Sequence, residues 1–156
     1  MASVYIETSV ISYLTARPSR DVVIAGHQQT TQDWWEKQSV KFELFVSELV
    51  IQEAARGDPK AAQERLRILD SIEALTVTPE ALQLAQILLE QAALPAKSDA
   101  DALHISISVA SGIDYLLTWN CKHIANAITR KKIEMLCRQQ NYEPSVICTP
   151  EELMEI

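Results

Sequence analysis

Several side chains that carry oxygen atoms able to bind a metal lie at positions where an acidic group would lose its hydration. Glu7 ends an apolar run, and Glu53 lies within the apolar stripe of a predicted helix. Asp99 and Asp101 open the segment SDADALHISIS, and Asn120 follows the strand-like YLLTW. A buried carboxylate is costly unless it is paired or bound to a metal. Because these positions all fall where strands end or helices begin, they predict one shared divalent cation at a magnesium-dependent site.

Some of these side chains also have a purely structural explanation. A snorkelling side chain, or a salt bridge to Arg56 or Arg65, would satisfy Glu53. Glu7 is different, because a strand-terminal acid directly before Thr8 has no local reason to be acidic. Spacing alone leaves both explanations of Glu53 open.

The acids near residue 100 and the amide at residue 120 are equally ambiguous. Asp99 and Asp101 follow Ser98 in a capping-box pattern, and acids in a first helical turn interact favourably with the helix dipole. Asn120 is also a common turn residue after a strand. Capping therefore explains Asp101 as well as catalysis does on local grounds.

The composition is that of one soluble globular domain. The chain has 156 residues, 47% of them hydrophobic and 22% charged, which is enough for a sizeable core. No apolar run is long enough for a bilayer, and MASVYIETS lacks the basic flank and apolar core of a signal peptide. The three cysteines show no metal-ligand spacing and are interpreted as reduced thiols. We expect a single domain over residues 1–156 of a cytoplasmic protein with no membrane partner.

Alternating strand and helix patterns predict a three-layer α/β/α domain with a central parallel sheet. Helices are predicted between successive strands, including one that Ser47 caps, one from Ser98 to Gly112 and one over residues 122–140. The predicted strands are residues 3–6, 42–46, 74–77, 115–119 and 146–148. In such folds ligands bind at the carboxyl ends of the strands, where Glu7 and Asn120 fall.

Other kinds of site find little support in the sequence. Three glycines supply no phosphate-binding loop, and there is no GxSxG elbow. His104 and His123 are more often structural than ligating when, as here, no second nitrogen or sulfur donor lies at a workable spacing. A nucleophilic triad, a nucleotide-binding loop and a zinc site are therefore disfavoured.

The charge balance is acidic, with a net charge of −7. This argues against binding nucleic acid by bulk electrostatics, although clustered metal-binding carboxylates would themselves make a nuclease acidic. The main basic concentration is a solvated helix face or, alternatively, a rim that contacts phosphates. Its residues are Lys122, Arg130, Lys131 and Lys132.

Three segments carry a resemblance to a known family. YIETSVISYL resembles the D-T-N or D-T-S start of PIN-domain proteins, and SELVIQEAARG resembles their second motif, an acid on a helix shortly before a glycine. DALHISISVASGIDYLLTWNCKHIANA is similar to their third and fourth motifs. The order and spacing agree along nearly the whole chain, and the nearest likeness is to VapC-like toxins of bacterial toxin–antitoxin pairs.

The resemblance implies a Mg²⁺- or Mn²⁺-dependent endoribonuclease that uses water activated by the ion. Its acidic quartet would be Glu7, Glu53, Asp101 and Asn120, with Glu7, Asp101 and Glu53 as metal ligands. Supporting polar groups would be Thr8, Ser9, Asp99 and Thr118. It further implies an RNA substrate, a small antitoxin partner and a homodimer.

Two positions depart from the family pattern. Glu7 replaces an aspartate and lengthens the side chain by one methylene, whereas Asn120 replaces an aspartate and removes a negative charge. These departures leave open a second class, a catalytically weakened PIN-fold binding or interaction protein. A third reading, an unrelated α/β domain whose acids are caps and salt bridges, would bind no metal.

Overall fold

The computed structural model describes residues 1–91, 94, 95 and 97–155. Five short strands form one parallel sheet in the order β3-β2-β1-β4-β5. They are β1 (Ser3–Ile6), β2 (Glu43–Ser47), β3 (Glu73–Leu75), β4 (Tyr115–Leu117) and β5 (Val146–Cys148). The predicted α/β/α fold with a central parallel sheet is thereby confirmed.

Helices connect successive strands and cover both faces of the sheet. Those described are α1 (Thr8–Thr15), α2 (Val22–Lys37), α3 (Glu48–Ala54), α4 (Pro59–Leu69), α5 (Pro79–Glu90), α6 (Asp99–Ala110) and α7 (Ala127–Gln139), with a 3-10 turn at Ser39–Lys41. Helices α1 to α4 pack together, and α5 packs with α6 and α7. None of the helices in these ranges combines the length and apolarity needed to cross a membrane.

The strand order reverses between β1 and β4, which positions the site. The chain passes from β1 outward through β2 to β3 and then crosses back to β4 on the other side of β1. Right-handed crossovers in opposite directions place their helices on opposite faces and open a crevice at the carboxyl ends of the two central strands. Glu7 follows β1 at this crevice, and its backbone N–H donates to the Leu117 carbonyl of β4 at 3.0 Å.

The core consists of the strands and the inward faces of the helices. Val4, Tyr5 and Ile6 of β1 are fully buried, as expected for a central strand covered on both faces. Trp34 of α2 is also fully buried, and its indole N–H donates to the Leu153 carbonyl at 2.9 Å. Trp34 is thus a core residue.

Side-chain caps form at several helix ends and at the turn after β5, and the cap predicted at Ser47 is among them. Ser47 accepts from the Val50 N–H at 3.2 Å, and Asp58 accepts from the Ala61 N–H at 2.9 Å ahead of the proline at the start of α4. Thr149 and Glu152 form a reciprocal box, since each side chain accepts from the other residue's backbone N–H.

Several predicted boundaries are wrong. Strand β3 ends at Leu75 and strand β4 at Leu117, each two residues early, and the helix expected over residues 122–140 begins only at Ala127. For β4 and this helix the reason is a turn organised by Asn120, whose carbonyl accepts the N–H groups of Ile124 and Ala125 at 3.0 and 2.9 Å. The sequence also predicts that the helix opened by Thr78 ends near Pro95, and residues 92 and 93 of that predicted helix lie outside the described residues.

Candidate functional site

Glu7 is a buried carboxylate held by hydroxyl groups at the end of β1. Its Oε1 accepts hydrogen bonds from Ser9, two residues later, and from Thr118 at 2.7 Å, directly after β4. Ser9 in turn accepts from the Trp119 N–H at 2.8 Å. Two loops at the strand ends therefore fix one oxygen of Glu7 with neutral donors, and the other oxygen, Oε2, lies 4.0 Å from Nε2 of His104.

Glu53 projects into the same crevice from α3. Its Oε1 accepts a hydrogen bond from Thr8 at 2.6 Å and lies 2.6 Å from Nε2 of His104. Burial by itself raises the pKa of this carboxyl, but the hydrogen bonds to His104 and Thr8 and nearby positive charge outweigh it, so the pKa falls below its ordinary value. Glu53 is therefore ionised at neutral pH.

The salt bridge considered for Glu53 does not form. Within the described residues no arginine or lysine pairs with this carboxylate. Arg65 instead donates to the backbone carbonyls of Ala54 and Arg56, at 2.9 and 2.7 Å, and thereby satisfies the end of α3. The carboxylate of Glu53 therefore faces the crevice and does not pair with Arg56 or Arg65.

His104 joins the two acids, a position that sequence reasoning did not assign to it. The imidazole lies on α6 and is only 1% exposed. Its Nδ1 is 2.7 Å from the hydroxyl of Tyr5, which is itself 2.7 Å from the hydroxyl of Ser47. Burial raises the pKa of Tyr5 far above its usual range, so the phenol stays protonated. A single polar chain therefore runs from Ser47 to Glu53.

A signal for His104 was present in the sequence. His104 follows Asp101 by three residues, so the two side chains share one face of a helix. It is also the one imidazole in the buried run 104–109 of α6. A buried histidine needs hydrogen-bonding partners on both ring nitrogens, and here these are Tyr5 and Glu53.

Glu7, Glu53 and His104 form a group that fits a divalent ion. One ligand atom from each lies within 4.8 Å of the others, and this is the one such group of three or more in the described part of the chain. Two carboxylates and an imidazole are a common donor set for divalent metals. The buried carboxylate of Glu7, whose hydrogen bonds come from neutral hydroxyls on Oε1, also favours a cation at this place.

Asp101 is not part of this group of ligand atoms within 4.8 Å of one another. Its Oδ1 accepts from the side-chain amide of Asn120 at 3.0 Å, and its Oδ2 lies 3.1 Å from Nδ1 of His123. Ser98, the residue before α6, makes no side-chain capping bond. Asp101 thus occupies the first turn of the helix while its carboxylate contacts the β4 loop, so capping alone does not describe it.

Asn120 connects Asp101 to the loop after β4. Its side-chain oxygen accepts from the His123 N–H at 3.1 Å, and its own backbone N–H donates to the hydroxyl of Thr118 at 3.0 Å. Asn120 therefore acts as a turn residue and as a partner of Asp101 at once. A carboxylate at this position would place two negative charges about as close as the present hydrogen bond.

The supporting residues fall into two groups. Thr8, Ser9 and Thr118 all donate hydroxyl hydrogen bonds to the two glutamates, as described above. Asp99 is exposed on the first turn of α6 and is acidic at the positive end of the helix dipole. Asp99 therefore acts as a charge that stabilises the start of α6.

The basic residues are not equivalent. Lys122, Lys131 and Lys132 are exposed. Arg130 instead donates to the Ile147 carbonyl at 3.0 Å and pairs with Glu152 at 3.3 Å, so it ties α7 to the end of the chain. A phosphate-contacting rim would therefore consist of the lysines.

Comparisons with known proteins place the fold. The sequence profile of the PIN domain matches residues 4–120. No curated protein sequence matches the chain. In structure it is similar to VapBC2 from Rickettsia felis bound to a DNA fragment from their promoter, with 17% identity, a TM-score of 0.60 and coverage of 94% of this chain and 98% of that one.

A second similar structure is Mycobacterium tuberculosis VapC20, described as a sarcin–ricin loop cleaving toxin. It is 18% identical with a TM-score of 0.60, over 76% of this chain and 91% of that one. At these identities the likeness shows a shared fold. The family profile extends from β1 to Asn120 and includes Glu7, Glu53 and Asp101, and by this match the chain belongs to the PIN domain family.

Proposed function

We propose that this PIN domain is a divalent-metal-dependent endoribonuclease, the toxin of a toxin–antitoxin pair. The observation that carries the proposal is the convergence of Glu7 and Glu53 at the carboxyl ends of the central strands, with no lysine or arginine between them among the described residues. Two carboxylates that are held by hydroxyls and have no lysine or arginine partner among the described residues favour a bound cation. The RNA-cleaving activity in the description of the second similar structure supports RNA as the substrate.

Glu7 and Glu53 would hold Mg²⁺ or Mn²⁺, and Asp101 would complete the acidic site. When bound, the ion would supply positive charge to the scissile phosphate and lower the pKa of the attacking water. Thr118 and Ser9 keep Glu7 in one orientation, and Thr8 does the same for Glu53. This preorganisation lets the carboxylates act without rearrangement.

Asp101 and Asn120 would line the approach to the ion. Asp101 adds negative charge from α6, and Asn120 holds that carboxylate through its amide. The exposed side chain of Lys122 follows two residues later and would contact an RNA phosphate, along with Lys131 and Lys132. Attraction to RNA is thereby confined to a small part of an acidic protein.

A small antitoxin would block this site. The first similar structure is a VapBC complex, which supports an antitoxin partner. The chemistry suited to one buried and one half-buried carboxylate is an arginine that bonds them in place of the ion. Homodimerisation remains a prediction from the family resemblance.

Substitution of Glu53 tests the nuclease. Glu53→Gln keeps the size of the side chain and its hydrogen-bond acceptor but removes the charge, so we expect Mn²⁺ affinity and RNA cleavage to fall at least about 10-fold. Glu48→Gln is the matched control, because Glu48 is an exposed acid on the same helix. Calorimetric titration with Mn²⁺ and cleavage of a labelled RNA are the measurements. Tight Mn²⁺ binding by a wild-type protein that leaves RNA intact would favour the binding-module alternative.

Substitution of Asn120 tests its link to the ion. In Asn120→Asp the amide donor to Asp101 is lost and two carboxylates face each other, so the metal-free protein should lose about 1–3 kcal/mol of stability, or roughly 2–4 °C in melting temperature per kcal/mol. Mn²⁺ should raise the melting temperature of Asn120→Asp by more than it raises the melting temperature of wild type. Asn126→Asp is the control, since Asn126 caps α7 and aspartate caps equally well. Equal Mn²⁺-induced shifts in wild type and Asn120→Asp would contradict a role near the ion.

Expression in bacteria tests the toxin assignment. Induction of the wild-type chain should slow growth, and Glu53→Gln should relieve the effect while Glu48→Gln does not. Growth curves and immunoblots of soluble protein give the readout. Soluble protein that cleaves RNA in vitro yet leaves growth unchanged would refute the toxin assignment and leave the nuclease assignment standing.

A further inference from the structure

His104 lies where the two glutamates of the acidic quartet approach each other. Its Nε2 lies 2.6 Å from Oε1 of Glu53 and 4.0 Å from Oε2 of Glu7, inside the group that fits a divalent ion. The side chain is 1% exposed. The imidazole therefore faces the same point as the two carboxylates.

Building on the proposed function, we propose that His104 is a nitrogen ligand of the metal ion and that the site consequently prefers transition-metal ions over Mg²⁺. Mg²⁺ demands oxygen ligands and gives up its waters reluctantly. Imidazole suits iron, nickel, copper and zinc ions, and Mn²⁺ is bound most weakly of the first-row series by a given set of ligands. Replacing one oxygen ligand with His104 would therefore shift selectivity away from Mg²⁺ towards the transition metals, most strongly towards the ions that follow Mn²⁺ in the series.

Tyr5 and Ser47 supply the outer partners that a ligating histidine needs. Such a histidine usually donates its second ring N–H to a nearby oxygen, which fixes the ring and its tautomer. Nδ1 of His104 lies 2.7 Å from the Tyr5 hydroxyl, and that hydroxyl lies 2.7 Å from the Ser47 hydroxyl. The polar chain of the Tyr5 and Ser47 hydroxyls behind His104 thus fixes the orientation of its ring.

This chain is compatible with both tautomers of the imidazole. Without an ion, Tyr5 donates to Nδ1 while Nε2–H donates to Glu53. With an ion on Nε2, the single ring proton lies on Nδ1 and is donated to Tyr5, whose own proton turns to Ser47. Each hydroxyl can donate and accept, so the number of protons on the three groups is unchanged.

The other two histidines provide internal controls. Nδ1 of His123 lies 3.1 Å from Oδ2 of Asp101, and the His123 side chain is 37% exposed. His27 stacks on the indole of Trp119 at 4.1 Å. The chain contains three histidines in all, so a metal–imidazole bond can be assigned by removing the other two.

Pulsed electron paramagnetic resonance of bound Mn²⁺ tests the proposal. A directly bound imidazole modulates the electron spin echo through its ¹⁴N nucleus. We expect this modulation in wild type, its persistence in His27→Gln and His123→Gln, and its loss in His104→Gln. Labelling all histidines with ¹⁵N should remove the ¹⁴N pattern without changing any residue, so the test does not depend on the folding of His104→Gln.

Two affinity measurements extend the test. Wild type should bind Mn²⁺ at least about 10-fold more tightly than Mg²⁺. Tyr5→Phe should weaken Mn²⁺ binding by about 10-fold or more, because it removes the partner of Nδ1. Bound Mn²⁺ with no ¹⁴N modulation would overturn the role of His104 and leave the metal-dependent nuclease intact. A protein that binds no Mn²⁺ would overturn the proposed function and this inference together.

Discussion

The burial of the Glu7 carboxylate is the constraint on which the site depends. A carboxylate in that position, directly after a central strand, needs compensation from its surroundings. The chain provides hydroxyl donors from Ser9 and Thr118 on one oxygen and leaves the other facing His104. These donors are neutral and orient the carboxylate. In the proposed function the carboxylate would bind a cation, and catalysis by a preorganised metal site requires such a fixed orientation.

The topology explains how a few residues from distant parts of the chain form one site. Because the strand order reverses between β1 and β4, the loops after these two strands lie at one crevice. Helices α3 and α6 each have one end at the same crevice. Glu53 and His104 thus reach Glu7 from opposite helical layers. Each side chain is fixed by a partner from another element, such as Thr8 for Glu53 and Tyr5 for His104. The site and the core share these contacts, so a change that loosens one would loosen the other.

The sequence predicted the fold and the placement of the acids more completely than their pairing. Alternating patterns gave the parallel sheet, and cap residues gave most helix starts because capping is local. The start of α7 was missed because Asn120 organises the preceding turn through its backbone carbonyl, which no side-chain pattern reports. The pairing of Glu53 with His104, and that of Asp101 with Asn120, depends on tertiary contacts over 51 and 19 residues. Local spacing does not encode such contacts, although the three-residue offset from Asp101 to His104 indicated a shared face.

The central claim is that Glu7 and Glu53 share one divalent ion, and anomalous diffraction from a crystal soaked in Mn²⁺ tests it most directly. We expect a manganese peak at about 2.0–2.3 Å from a carboxylate oxygen of each glutamate. We also expect the peak to disappear in Glu7→Gln crystals soaked under the same conditions. A peak found only beside exposed acids such as Asp99, or no peak at saturating Mn²⁺, would contradict the account.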